Sequence, residues 1–138
     1  MRSVLADTGF IVALLDRSAD YHEQCRSLAR ELPHPLITCE PVITEACYLM
    51  RGLPGATAAV LANVAEGVLQ IPLQLSACAV NVAKLMCKYA DVPMDLADAC
   101  LVHLAEQIGT GRIVTLDGDF QIYRYARNRA FENLIDLE

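Results

Sequence analysis

The chain has 138 residues, a formal net charge of -6 and an apolar fraction of 54%, which suits one domain with a single sizeable core and leaves too little chain for two independent ones. The acidic balance argues against a protein that coats nucleic acid by bulk electrostatics, and the longest clean apolar run, residues 9–15, falls far short of the roughly 20 residues that span a bilayer. Asp7 and Asp16 interrupt the N-terminal apolar stretch and no basic region leads into it, so no secretory signal is read and a cytoplasmic location without membrane attachment is expected.

In chain order, residues 3–6 are a short apolar run expected to be a strand, broken by Asp7-Thr8-Gly9 before residues 10–15 resume as a helix. Residues 21–31 mix charged and apolar side chains at helical spacing, and Pro33 with Pro35 closes that segment. A second strand is predicted over 36–39. Pro41 suits the first turn of the next helix, which runs over 42–51 and places Glu45 in an otherwise apolar segment. Gly52, Pro54 and Gly55 signal a loop. An Ala-rich helix is predicted over 56–66, and Pro72 marks the short apolar strand over 69–73 as a sheet edge. Ser76 offers a cap to a helix over 77–89.

Asp95 and Asp98 open a helix in which Leu96, Ala99, Cys100, Val102, Leu104, Ala105 and Ile108 recur at helical spacing, and Gly109 ends it. Residues 112–115 are β-rich, with Asp117 and Asp119 where that strand meets its turn. Residues 120–129 read as a short helix or turn, and 133–137 as a last strand. Strands alternating with helices predict an α/β fold, a three-layer α/β/α sandwich around a central parallel sheet of about five strands, with residues 1–138 as a single domain. Cys25, Cys39, Cys47, Cys78, Cys87 and Cys100 form no C-x-x-C pair and read as buried reduced thiols. His22, His34 and His103 stand near no matching cysteines, so no zinc site is expected.

The chemistry rests on acids. Asp7 and Asp117 follow strands, Glu45 lies early in a helix after a strand, and Asp98 occupies the first turn of its helix, so all four can converge on the sheet edge where open α/β folds hold ligands. Carboxylates gathered there repel, and their proton affinities rise unless a cation screens them. Mg²⁺ or Mn²⁺ takes such oxygen ligands. Each acid also has a plain structural role. Asp7 can cap the helix after it, and Asp95 with Asp98 resembles a capping box, the cap being the favoured reading for Asp95. Asp98 can serve the helix dipole alone, and Asp117 and Asp119 can be turn residues beside Gly118. Glu45 is the hardest to explain away, because a carboxylate amid Val42, Ile43, Ala46, Cys47 and Leu49 is costly to bury without a partner. No G-x-S-x-G elbow, Cys/His pairing, G-x-G-x-x-G fingerprint or phosphate loop offers another chemistry.

LADTGFIVALLD, ITEACYLM, PMDLADACLVHLAE and IVTLDGDFQIYR, in that order from Val4 to about Asp136, resemble a PIN domain, most of all the toxin ribonucleases of VapC type. The resemblance implies a metal-dependent endoribonuclease that hydrolyses RNA phosphodiesters with Mg²⁺, or Mn²⁺ in its place. It maps the family's acidic residues onto Asp7, Glu45, Asp98 and Asp117 as metal-binding and catalytic groups, with Thr115 at the position of a hydroxyl that orients the last carboxylate. It also implies a cognate antitoxin protein whose arginine-bearing tail enters the acidic cleft, and a homodimer. Arg124, Arg127 and Arg129, interleaved with Tyr123, Tyr125 and Phe131, are either an RNA-backbone patch beside the site or a solvated arginine face. Two other classes compete. A non-catalytic RNA- or protein-binding module of PIN fold should lack one of the four acids, and all four are present. An aspartyl-nucleophile phosphotransferase would want an acid two residues after Asp7, where Gly9 stands.

Overall fold

The strands are short, and two of them, Val4–Ala6 and Leu36–Ile37, are wholly apolar, as expected of strands covered on both faces. Val4, Leu5 and Ala6, which make up β1 (Val4–Ala6), are each 0% exposed in the computed structural model, which describes residues 3–33 and 35–137. His34 lies outside the described residues. The other elements are α1 (Thr8–Leu15), α2 (His22–Glu31), β2 (Leu36–Ile37), α3 (Glu40–Leu49), α4 (Ala56–Ala65), β3 (Leu69–Gln70), α5 (Leu75–Lys88), α6 (Leu96–Ile108), β4 (Arg112–Val114), a 3-10 turn (Gly118–Gln121), β5 (Arg124–Tyr125), β6 (Arg129–Ala130) and β7 (Glu132–Asn133).

Five strands form one sheet in the order β3-β2-β1-β4-β7, with every neighbouring pair parallel. This is the α/β/α sandwich with a five-stranded parallel sheet. The chain winds from β1 through β2 to β3 on one side, then returns to lay β4 and β7 on the other. The crevice between β1 and β4 is therefore the topological switch point, where such sheets hold ligands beyond the carboxyl ends of their strands. β3 is an edge strand, as Pro72 predicts.

α6 is buried along nine consecutive residues, Ala97 to Ala105, so it is a core helix rather than an amphipathic cover. Its N-terminal turn is thereby held at the sheet's carboxyl edge. Gly109 ends it in the left-handed region, φ 81°. No helix among the described residues is long and apolar enough to cross a membrane. All six cysteines are free thiols, four of them buried, whereas Cys47 is half-buried and Cys87 exposed.

Of the helix or turn expected over 120–129, the turn is what forms: after the 3-10 turn, β5 and β6 pair antiparallel as a hairpin whose Ala126 and Asn128 take φ of 34° and 70°. The last strand is β7 at Glu132–Asn133 rather than 133–137. Ser76 is no cap, because α5 already begins at Leu75 and its N-cap is Gln74. Glu45 is exposed rather than buried; α3 turns Val42, Ile43 and Ala46 inward, and Glu45 lies off that stripe.

Candidate metal centre

The site grows out of the β1–β4 register. Leu5 pairs with Ile113 and Ala6 with Val114, so one further step sets Asp7 opposite Thr115, and the Asp7 N–H continues the ladder to the Val114 carbonyl at 3.1 Å. Thr115, 0% exposed, donates its hydroxyl to Asp7 Oδ2 at 2.7 Å and accepts the Asp117 N–H at 3.0 Å. Its hydroxyl thus orients the first acid of the set, while its hold on Asp117 is through the backbone. Asp7 Oδ1 accepts the Thr8 N–H at 2.7 Å, capping α1. Asp117 Oδ1 accepts the Asp119 N–H at 2.9 Å and caps the 3-10 turn. Gly9 allows this closeness, since a Cβ there would stand 3.2 Å from Leu116 Cβ, in the loop that carries Asp117.

Asp98 arrives from α6. Asp95 is the N-cap and accepts the Asp98 N–H at 2.8 Å, which frees the Asp98 carboxylate from capping. That carboxylate, 5% exposed, accepts the Tyr123 hydroxyl at 2.8 Å on Oδ2. Asp7, Asp98 and Asp117 each offer an oxygen to a group whose atoms all lie within 4.8 Å of one another. Glu45 is not in that group: on the exposed rim, its Oε1 accepts the Thr8 hydroxyl at 2.7 Å, which links it to the residue beside Asp7.

Burial is the main reason that the carboxyl of Asp98 is pushed up to about 8, with the charges of Asp95, Asp7 and Asp117 adding and the Tyr123 hydrogen bond opposing. Asp7 is raised to about 6, again chiefly by burial, with Asp117 and Glu45 contributing and Thr115 and Thr8 pulling the other way. Asp119 is shifted upward by slight desolvation and by Asp117 and Asp95. A cluster that holds protons near neutral pH exchanges them for a cation on binding. Its donors are all carboxylate oxygens, which suits hard ions such as Mg²⁺ or Mn²⁺ rather than zinc or copper.

The basic segment is built differently from a stacking platform. Tyr123 and Tyr125 are 0% and 7% exposed. Phe120 packs edge-on against both Tyr123 and Phe131, and Tyr125 packs against Phe131. Arg124 folds its guanidinium back onto the carbonyls of Gln121, Ile122 and Tyr123 at 2.8–3.2 Å. Arg127 and Arg129 are exposed, with Arg129 over the Tyr125 ring at 5.8 Å. Two recesses flank the acids. One of about 500 Å³ is lined by Asp117, Phe120 and Asn133 among others, and one of about 620 Å³ by Glu40, Glu45, Tyr48, Asp95 and Leu96 among others.

Three contributors are not evident from the sequence: Thr8, which holds Glu45; Tyr123; and Asn133, whose side chain grips the Thr115 peptide at both N–H (3.2 Å) and C=O (2.9 Å). An asparagine in a strand, a residue type depleted there, was the one available signal for the last.

Fold and site together define an α/β protein with an oxygen-only acidic centre at the switch point of a parallel sheet. The chain belongs to the PIN domain family, whose family model matches residues 4–127. Among solved structures it is similar to VapC20 of Mycobacterium tuberculosis, described as a toxin that cleaves the sarcin-ricin loop, with a TM-score of 0.79, 18% sequence identity, and 89% of this chain and 96% of that chain covered. At that identity the likeness is one of fold. No curated protein matches the chain significantly in sequence.

Proposed function

We propose that this chain, as one PIN domain, is a divalent-metal-dependent endoribonuclease of the VapC toxin kind. The observation that carries the reading is the convergence of Asp7, Asp98 and Asp117 within 4.8 Å at the β1–β4 switch point. These three carboxylates would hold Mg²⁺, with Mn²⁺ as a substitute, and Glu45 serves as the outer carboxylate at the rim. With the ion in place, the chemistry supplied is activation of a water and neutralisation of charge on the scissile phosphate and the leaving oxygen.

The protein's own groups prepare that position. Thr115 and the Thr8 N–H fix both oxygens of Asp7, Tyr123 fixes one oxygen of Asp98, and the Asp119 N–H fixes one of Asp117. Glu45 can accept a proton from water at the entrance. The RNA strand is assigned to the two recesses flanking the acids, with Arg127 and Arg129 offering charge to its backbone. Thr115 touches no substrate in this reading, because it is fully buried. A cognate antitoxin protein, homodimerisation and a cytoplasmic location complete the proposal, on the strength of the family and of the fold shared with VapC20.

The test is cleavage of a broad pool of structured RNAs, the sarcin-ricin loop included, with Mg²⁺ or EDTA, together with induced expression in a bacterial host. Wild type should cut RNA only with metal and stop growth, and Asp7→Asn should do neither. Equal growth arrest by both proteins would reject hydrolysis as the cause.

A further inference from the structure

Tyr123 has a hydroxyl with one partner, and that partner is a carboxylate of the acidic centre. The ring is 0% exposed, so it touches neither solvent nor a bound strand. A phenol buried in a core needs an acceptor, and a backbone carbonyl commonly serves. Here the acceptor is Asp98 Oδ2 at 2.8 Å. The Asp98 side chain is available because Asp95 has taken over the cap: the Asp98 N–H goes to Asp95 Oδ1, and the Asp98 carboxylate makes no reciprocal bond to the cap backbone.

The ring is held from two sides. Tyr89 meets it edge-on with centroids 5.1 Å apart, and Phe120 does so at 5.0 Å. Tyr89 is fixed in turn, since its hydroxyl accepts the Arg124 N–H at 2.9 Å. Phe120 belongs to the 3-10 turn that Asp117 caps, and the Tyr123 N–H donates to the Asp119 carbonyl at 3.2 Å. One short segment therefore carries Asp117 and also delivers the hydroxyl that holds Asp98. Two carboxylates that repel each other keep their spacing because the same seven-residue stretch, 117–123, grips both.

We infer that Tyr123 is a positioning residue for metal binding: it pins one oxygen of Asp98 and ties that carboxylate to the turn bearing Asp117, so that the centre is set before an ion arrives. This rests on the proposed metal-dependent reading. Residues that orient metal-binding carboxylates typically cost 10- to 100-fold in metal affinity or activity when removed. Tyr123→Phe keeps the ring and its edge contacts and deletes only the hydroxyl.

Mn²⁺ alone is titrated into wild type, Tyr123→Phe and Tyr125→Phe, followed by calorimetry. Tyr125→Phe is the control, because its ring packs on Phe131 in the same aromatic cluster while its hydroxyl end lies against Gly111, just before β4 and away from the acids. The expected result is a loss of about tenfold in Mn²⁺ affinity for Tyr123→Phe and a change under twofold for Tyr125→Phe. On RNA, Tyr123→Phe should lower kcat while KM stays within twofold. Equal Mn²⁺ affinity in wild type and Tyr123→Phe would overturn the role of Tyr123 and leave the metal reading standing, and so would equal losses in the two tyrosine variants. No Mn²⁺ binding by wild type would overturn the metal reading and this inference with it. Wild-type crystals soaked in Mn²⁺ give a check independent of any variant's folding: the Tyr123 hydroxyl should remain on Asp98 Oδ2 with the ion bound, and its departure from Asp98 would refute the assignment.

Discussion

Replacing Asp98 with asparagine isolates what that carboxyl costs the metal-free fold. Its ordinary value is 3.8 and its folded value about 8, so between those limits the unfolded chain is ionised while the folded protein keeps the proton. Folding then takes up one proton, which costs about 1.4 kcal/mol per pH unit. A raised carboxyl contributes stability that is fully present below its unfolded value and is lost as pH rises through its folded one. Asp7, raised to about 6, completes most of its own loss below pH 6, so the window from pH 6 to pH 8 belongs to Asp98. Across it, wild type should lose about 2 to 3 kcal/mol relative to Asp98→Asn. The asparagine still offers an oxygen to the Tyr123 hydroxyl. Urea unfolding in EDTA at pH 6, 7 and 8 reads the difference directly, and at pH 8 the variant should melt roughly 5 °C or more above wild type. Added Mg²⁺ should narrow or reverse that order, because it stabilises only a protein that binds it. A stability gap independent of pH, or a variant less stable at every pH, would refute the reasoning and leave Asp98 as a support of its helix.

Asp7→Asn should fold and bind RNA within a fewfold of wild type while cleavage falls by at least about 100-fold, as measured by gel assay and filter binding. Thr115→Val removes a donor to Asp7 and an acceptor for the Asp117 N–H in a fully buried place, so urea unfolding should show a loss of about 2 to 3 kcal/mol, with weaker Mn²⁺ binding. Gly9→Ala gains about 1 kcal/mol of helix propensity and crowds Leu116; stability should change by under about 1 kcal/mol, while Mn²⁺ affinity falls severalfold as the Asp117 loop is pushed out. Arg124→Ala should lower the melting temperature by several degrees, because three carbonyls lose their donor, whereas Arg127→Ala should leave melting unchanged and weaken RNA binding in a salt-dependent way.

The acids were legible because their local contexts carry the signal. Asp7 and Asp117 end apolar strands, and Asp95 with Gly109 brackets a helix at both ends by known capping chemistry. Strand order was not legible, since short apolar runs such as Leu36–Ile37 look alike whichever neighbour they pair with. The hairpin β5–β6 was missed because its turn uses Ala126 and Asn128 at positive φ where glycine would have announced it. Glu45 was misjudged through composition: a segment rich in apolar residues still has an outer face, and the contact with Thr8 is 37 residues distant in sequence.

What local pattern leaves out is long-range pairing: it names Thr115, but not Asp7 as the carboxylate that its hydroxyl orients. Local pattern names the groups that carry charge, but the hydroxyls and amides that aim them come from far along the chain: Thr115 reaches Asp7 across 108 residues and Tyr123 reaches Asp98 across 25. Such a pairing exists only once β1 and β4 are in register and α6 is buried along its length. A tyrosine among arginines near the C-terminus therefore reads as a surface patch until the fold turns it inward, after which its hydroxyl has to find an acceptor. The same physics accounts for both outcomes. Gathering carboxylates in a buried place raises their proton affinity and costs stability, and a fold that keeps them apart by fixed hydrogen bonds rather than by solvent holds that cost in place until a cation can offset it. Thr115 and Tyr123, which hold acids directly, and Asn133, which grips the Thr115 peptide, are for this reason as much a part of the centre as the acids themselves.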